Sequence, residues 1–223
     1  MRDGPRLNIA AIEASLRGVQ GHFASINAQL VEPREPLDDR IVANMLAGYR
    51  LIERFVRDGD DLFALTGVDA LLEINTTVLC GVEAPQRREY ASHIDATEHH
   101  FYDERDGGIG DLVEWYDAHA TESPWKRAAG VFVRILSQPQ LFLEGNHRSG
   151  ALIMSYILLR NDLPPFVLSP DNAVEYFNPS AVIRKTIKKA PATLFKLPKI
   201  KARYAQFLKS QADRRYLLEA ESS

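Results

Sequence analysis

The chain has 223 residues, 27 Lys and Arg against 30 Asp and Glu, 45% hydrophobic residues and a single cysteine. Apolar content this high with a net charge of only −3 excludes intrinsic disorder, and no run approaches the roughly 18 apolar residues of a membrane-spanning helix. Cys80 alone can build neither an internal disulfide nor a thiolate zinc site; in its apolar setting, TTVLCG, it reads as a small core residue, which fits a reducing cytoplasm.

The first segment, MRDGPRLNIAAIEASL, lacks an apolar core followed by a small-residue cleavage site, so no secretory signal is expected. Residues 1–37 read as an amino-terminal helical extension. Over 38–58, Ile41, Met45, Tyr49, Ile52 and Phe55 recur at helical spacing behind an Asp38 or Asp39 cap. A second helix spans 66–80 and is stopped by Gly81. Residues 85–110 are rich in His, Glu and Asp and end in GGIG; no helical stripe is evident, so the expectation there is a long loop or short β-hairpin acting as a flap. The cluster His93, Asp95, Glu98, His99 and His100 reads as a solvated face rather than a metal site. Helical pattern returns at 109–119 and at 124–137, the latter started by Ser123-Pro124. An apolar helix covers 151–161 and Asp171 heads a short one over 172–178. The tail, 181–223, reads as two helices broken by Pro191 and Pro198. It carries a balance of +8 against −11 for the first 180 residues, but no nucleic-acid motif accompanies it, so docking on the acidic body or plain solvation is expected rather than nucleic-acid binding. The fold class is all-α.

The stretch that carries chemistry is Gln140-Leu-Phe-Leu-Glu-Gly-Asn-His-Arg-Ser-Gly150. A loop ending in Gly145-Asn146 feeds a helix directly. Free N–H groups and the positive dipole end make such a start an anion site. Gly145 lets backbone approach a ligand, and Asn146 is a cap and donor. Arg148 in the first turn opposes the macrodipole unless an anion or carboxylate compensates it. Glu144 could hold Mg²⁺ that bridges phosphates, or could pair with Arg148. If that pair is all Arg148 makes, its removal leaves the ligand-free protein as stable as before.

These residues resemble the Fic family, helical proteins that mostly transfer AMP from ATP to a protein hydroxyl. The family pattern is H-P-F-x-[D/E]-G-N-G-R-x-x-R. Laid over Gln140–Ala151, it matches at Phe142, Glu144, Gly145, Asn146 and Arg148, and departs at Gln140, Leu141, His147 and Ala151. The setting also fits, with Ala128-Ala129 ahead of the motif and Pro164-Pro165 and Tyr176-Phe177 behind it. LLEINTTVLCG and REYASHI lie upstream, like the family's helix and the entry to its target-positioning flap. The resemblance covers residues 40–180. It implies a Fic-like helical core over 38–180 with a short flap. It also implies Mg²⁺ and a nucleoside triphosphate such as ATP as ligands, and a protein as target.

The departures bear on activity. The family's first His is the general base; Gln140 cannot take a proton near neutral pH. The last Arg, which grips the γ-phosphate, is Ala151. The family's inhibitory motif, [S/T]-x-x-x-E-[G/N], is absent too. His147 stands where relatives carry Gly, or Lys in the Doc toxins that phosphorylate a target. It could contact a phosphate, replace the lost base, or face solvent. Two functions follow: a divergent transferase of a nucleotidyl or other phosphate-linked group, and a catalytically impaired pseudoenzyme that binds a nucleotide or a protein.

Overall fold

Asp38 is the cap that starts the first long helix, its carboxylate accepting from the Ile41 N–H at 2.6 Å. In the computed structural model, which describes residues 5–103, 108–188, 190–191 and 193–218, this helix is α3 (Asp39–Asp58), preceded by α1 (Ile9–Gly21) and α2 (Phe23–Asn27). α4 (Asp69–Cys80) follows and ends at Gly81, whose φ is 75°. Then come α5 (Ala84–Glu89), α6 (Ala91–Phe101), α7 (Gly108–Ala118), α8 (Pro124–Leu136), α9 (Asn146–Leu159), α10 (Ala173–Arg184) and α11 (Thr193–Ser210). Among the described residues there is no strand, only isolated bridges at Leu7–Leu217 and Gln138–Ile187. The all-α expectation holds.

α9 is the axis of the fold, with every residue from Ser149 to Leu159 buried. A helix apolar on all sides must be surrounded, and α8, α3 and α4 pack around this one. The approach to α3 is close because Gly48 has no side chain; a Cβ there would lie 2.2 Å from Leu152 Cδ1. The extended stretch before α10 is pinned under α9, its Phe166 carbonyl accepting from the Tyr49 hydroxyl at 2.7 Å and the Ser155 hydroxyl at 2.9 Å. Leu7, Ile12 and Leu16 at one end of the chain, and Tyr204, Phe207, Leu208 and Tyr216 at the other, enter this same core. Cys80 is buried, as its apolar setting implied.

The segment expected as a loop or hairpin flap is helical. α5 and α6 occupy 84–101, α7 begins at Gly108, and the intervening 104–107 lie outside the described residues. The stripe is narrow. Tyr90, Ile94, Thr97 and Phe101 follow helical spacing, but Thr stands in one apolar slot and only Thr97 and Phe101 are buried. The expected break at Pro198 is also absent, since α11 runs through it. Pro198 lies in the second turn, so the helix forgoes one bond near its amino end. Likewise α10 continues past Pro179 to Arg184. The basic tail leans on acidic partners of the body: Lys201 reaches Glu122 at 2.7 Å, and Arg184 and Lys185 both reach Glu32 at 2.6 Å.

Candidate functional site

The loop between α8 and α9 is held by Asn146. Its Oδ1 accepts from the Phe142 N–H at 3.0 Å, and its Nδ2 donates to the Phe142 carbonyl at 2.7 Å. Phe142 is buried and stacks on Phe101 of α6, with ring centroids 5.7 Å apart. The Asn146 amide is therefore spent on shaping the loop, and its backbone N–H is what remains for a ligand.

Gly145 makes the turn into α9 with φ 73°, a conformation costly for residues with a side chain. A Cβ would also meet Asn75 Nδ2 at 3.0 Å and Leu79 Cδ2 at 3.2 Å. Asn75, buried in α4, donates to the Glu144 carbonyl and to Ser149 Oγ, each at 2.9 Å, and so locks the turn to α4. The helical ladder of α9 opens with the Ser149 N–H on the Gly145 carbonyl at 2.9 Å. The N–H groups of Asn146, His147 and Arg148 precede it and have no acceptor in the helix.

Glu144 is exposed and makes no ion pair among the described residues, so its charge acts on Arg148 through space without a direct contact. Arg148 is instead compensated by α4: its Nη1 donates to the Val78 carbonyl at 2.7 Å, in the last turn of that helix. A cation that opposes one macrodipole thus sits at the favourable end of another. Burial lowers the Arg148 pKa.

His147 turns away from solvent. Its Nε2 lies 2.9 Å from Ser180 Oγ of α10 and 3.4 Å from Arg34 Nη2. Burial first, then the charges of Arg34 and Arg184, push its pKa down to about 3, so the ring is neutral near pH 7. A base this weak is poorly matched to proton abstraction at neutral pH.

Gln140 stands in the base slot with Nε2 donating to the Leu136 carbonyl at 3.3 Å. Its own carbonyl accepts from His100 Nε2 at 2.8 Å. Two neighbours hold the loop from afar: His100 of α6, which the sequence placed on a solvated face, and Asn75 of α4, which no sequence signal marked. Each lies 40 or more positions away along the chain, so no local pattern ties either one to the loop. No group of three or more His, Cys, Asp or Glu able to hold a metal occurs among the described residues. Glu144 nevertheless fits Mg²⁺, which is commonly held by one or two carboxylates together with phosphate oxygens and water.

No family model and no curated protein matches the chain. Solved structures do. A Fic domain-containing signalling protein from Bacteroides thetaiotaomicron matches over 90% of this chain and 83% of its own, with a TM-score of 0.51 and 15% identity. Fic-1 from C. elegans, residues 134–508, matches over 91% of this chain and 61% of its own, with a TM-score of 0.45 and 19% identity. On the first likeness the chain has a Fic-type fold, with the degenerate motif at the amino end of its central helix.

Proposed function

We propose that the Glu144–Arg148 turn binds the phosphate of a nucleotide, with ATP and Mg²⁺ as first candidates, and that the chain acts as a binding module rather than as a conventional AMP transferase. The observation that carries the binding reading is the turn itself. Gly145 is left-handed, three backbone N–H groups precede the α9 ladder, and an unpaired Glu144 stands beside them. Glu144 would hold the metal, which would neutralise phosphate charge. The backbone of 145–148 and the free donors of Arg148 would orient the phosphate. Against transfer stand Gln140 in the base slot and a His147 too acidic, as an imidazolium, to serve in its place.

A transferase reading has one observation behind it. His100 donates its Nε2–H to the Gln140 carbonyl at 2.8 Å, which brings a second imidazole to the base slot. Thermal melts with ATP, GTP and CDP-linked compounds, with and without Mg²⁺, test the binding reading: a ligand that binds only the folded chain raises Tm. The binding-module reading expects a metal-dependent rise and no label passed from radiolabelled ATP to any protein in a lysate. Label transfer lost in His100→Ala would establish the transferase instead.

A further inference from the structure

Beneath the motif loop lies a cavity of about 190 Å³, between α9, α3, α10 and the segment around Arg34. Leu16, Ile41, Met45, Phe166 and Leu168 give it apolar walls. Two guanidinium groups, Arg34 and Arg148, also line it, and neither forms an ion pair among the described residues. Glu32, the carboxylate that acts most on Arg34, is already taken by Arg184 and Lys185. Glu35 at the rim is exposed and pairs with neither.

Proton accounting sharpens the imbalance. The Ser180 hydroxyl gives its one proton to the Phe177 carbonyl at 2.7 Å. With its proton directed there, the hydroxyl accepts from His147 in the tautomer that carries hydrogen on Nε2. The Arg34 Nη2 lies 3.4 Å from that nitrogen, a long contact that is weak in any tautomer and absent in this one. The Arg34 Nε is buried with no partner at all. A half-buried cation with unspent donors on an apolar cavity is costly unless an anion completes it. Ala151 adds the space: a long side chain at that position would enter the volume that Arg34 reaches from another part of the chain.

We propose that this cavity binds a compact amphipathic anion, a single carboxylate or phosphate head on an apolar body about the size of one ring. The head pairs with Arg34, assisted by Arg148, and the body lies among the aliphatic walls. The size agrees, since an engineered apolar cavity of about 150 Å³ holds benzene. A nucleoside triphosphate is too large and too polar for it. The cavity shares Arg148 with the nucleotide reading of the loop above it, but the assignment rests on Arg34 and the apolar walls, which that reading does not use.

Calorimetric titration of the full chain tests this without any nucleotide, using benzoate, phenyl phosphate, neutral benzamide and inorganic phosphate. Saturable binding of benzoate or phenyl phosphate is expected, and which of the two binds identifies the head group. Benzamide and inorganic phosphate should each bind at least about tenfold more weakly. Arg34→Gln should weaken the anion by a similar factor, Arg34→Lys should restore part of it, and Ala151→Leu, which fills the cavity from a different element, should abolish it. Melting curves establish that each variant is folded. The proposal is overturned if neither aromatic anion saturates below roughly ten millimolar, if benzamide binds as well, or if folded Arg34→Gln and Ala151→Leu bind like the parent.

Discussion

Replacing Arg148 with alanine separates a structural arginine from a merely ligand-facing one. The structure gives Arg148 a charge-assisted bond to the Val78 carbonyl at 2.7 Å, at the carboxyl end of α4. Bonds of that kind contribute about 1.5–3 kcal/mol. Removing the cation also relieves its opposition to the α9 dipole, worth about 0.3–1 kcal/mol. The net cost to the ligand-free protein is therefore about 0.5–2.7 kcal/mol. In a chain of this length each kcal/mol moves Tm by about 2–4 °C, so a fall of about 1–11 °C is expected in a calorimetric or circular-dichroism melt. Arg148→Lys, which keeps charge but loses the planar fork, should lie between. This reverses the expectation drawn from sequence, where a loose pair with Glu144 implied an unchanged Tm. An Arg148→Ala protein that melts with the parent would refute the α4 contact as a support of the loop.

Three further outcomes follow from the same geometry. Gly145→Ala should cost about 1–2 kcal/mol from the left-handed backbone alone, more from contact with Asn75 and Leu79, and should weaken nucleotide binding; an unchanged melt would contradict the observed turn. His147 titrates at about 3 in the folded chain against an ordinary 6.5. Between those values the unfolded chain takes up a proton that the folded chain refuses, so stability present above pH 6.5 falls with falling pH by up to about 1.4 kcal/mol per pH unit. His147→Gln should shift acid unfolding to lower pH, and an identical midpoint would show that the ring is not buried as described. Gln140→His alone should give no strong self-labelling with radiolabelled ATP, because Ala151 and His147 still depart from the transferase pattern; robust labelling by the single variant, compared with variants adding Ala151→Arg and His147→Gly, would show that only the base was missing.

Local signals carried much of the fold into the sequence. The α3 stripe and its Asp38 cap, the stop at Gly81, and the Ser123-Pro124 start of α8 depend on residues within a turn or two of one another. The join at Gly145-Asn146 was legible for the same reason. α6 was not, because a helix that buries only two residues of eleven presents a polar sequence with no visible period. The charge balance of the site was least legible. Arg148 looked uncompensated because its acceptor, Val78, lies 70 positions away. Of the three readings of His147, the solvent-facing one is set aside by Ser180, Arg34 and the packing of α10, none of them local to the motif. Asn146 read as a cap and a donor; three-dimensional closure of the loop engages its amide on Phe142 instead.

The measurement closest to the central claim is amide NMR of the isotopically labelled chain, titrated with ATP, GTP and CDP-linked compounds in the presence and absence of Mg²⁺. Binding at the turn requires saturable shifts of the Gly145, Asn146, His147 and Arg148 amides, larger with the metal and lost in Glu144→Ala when Mg²⁺ bridges to phosphate. Saturation of amides elsewhere, with those four unmoved, or no saturable change with any of these ligands, would contradict the assignment of residues 144–148 as a phosphate-binding turn.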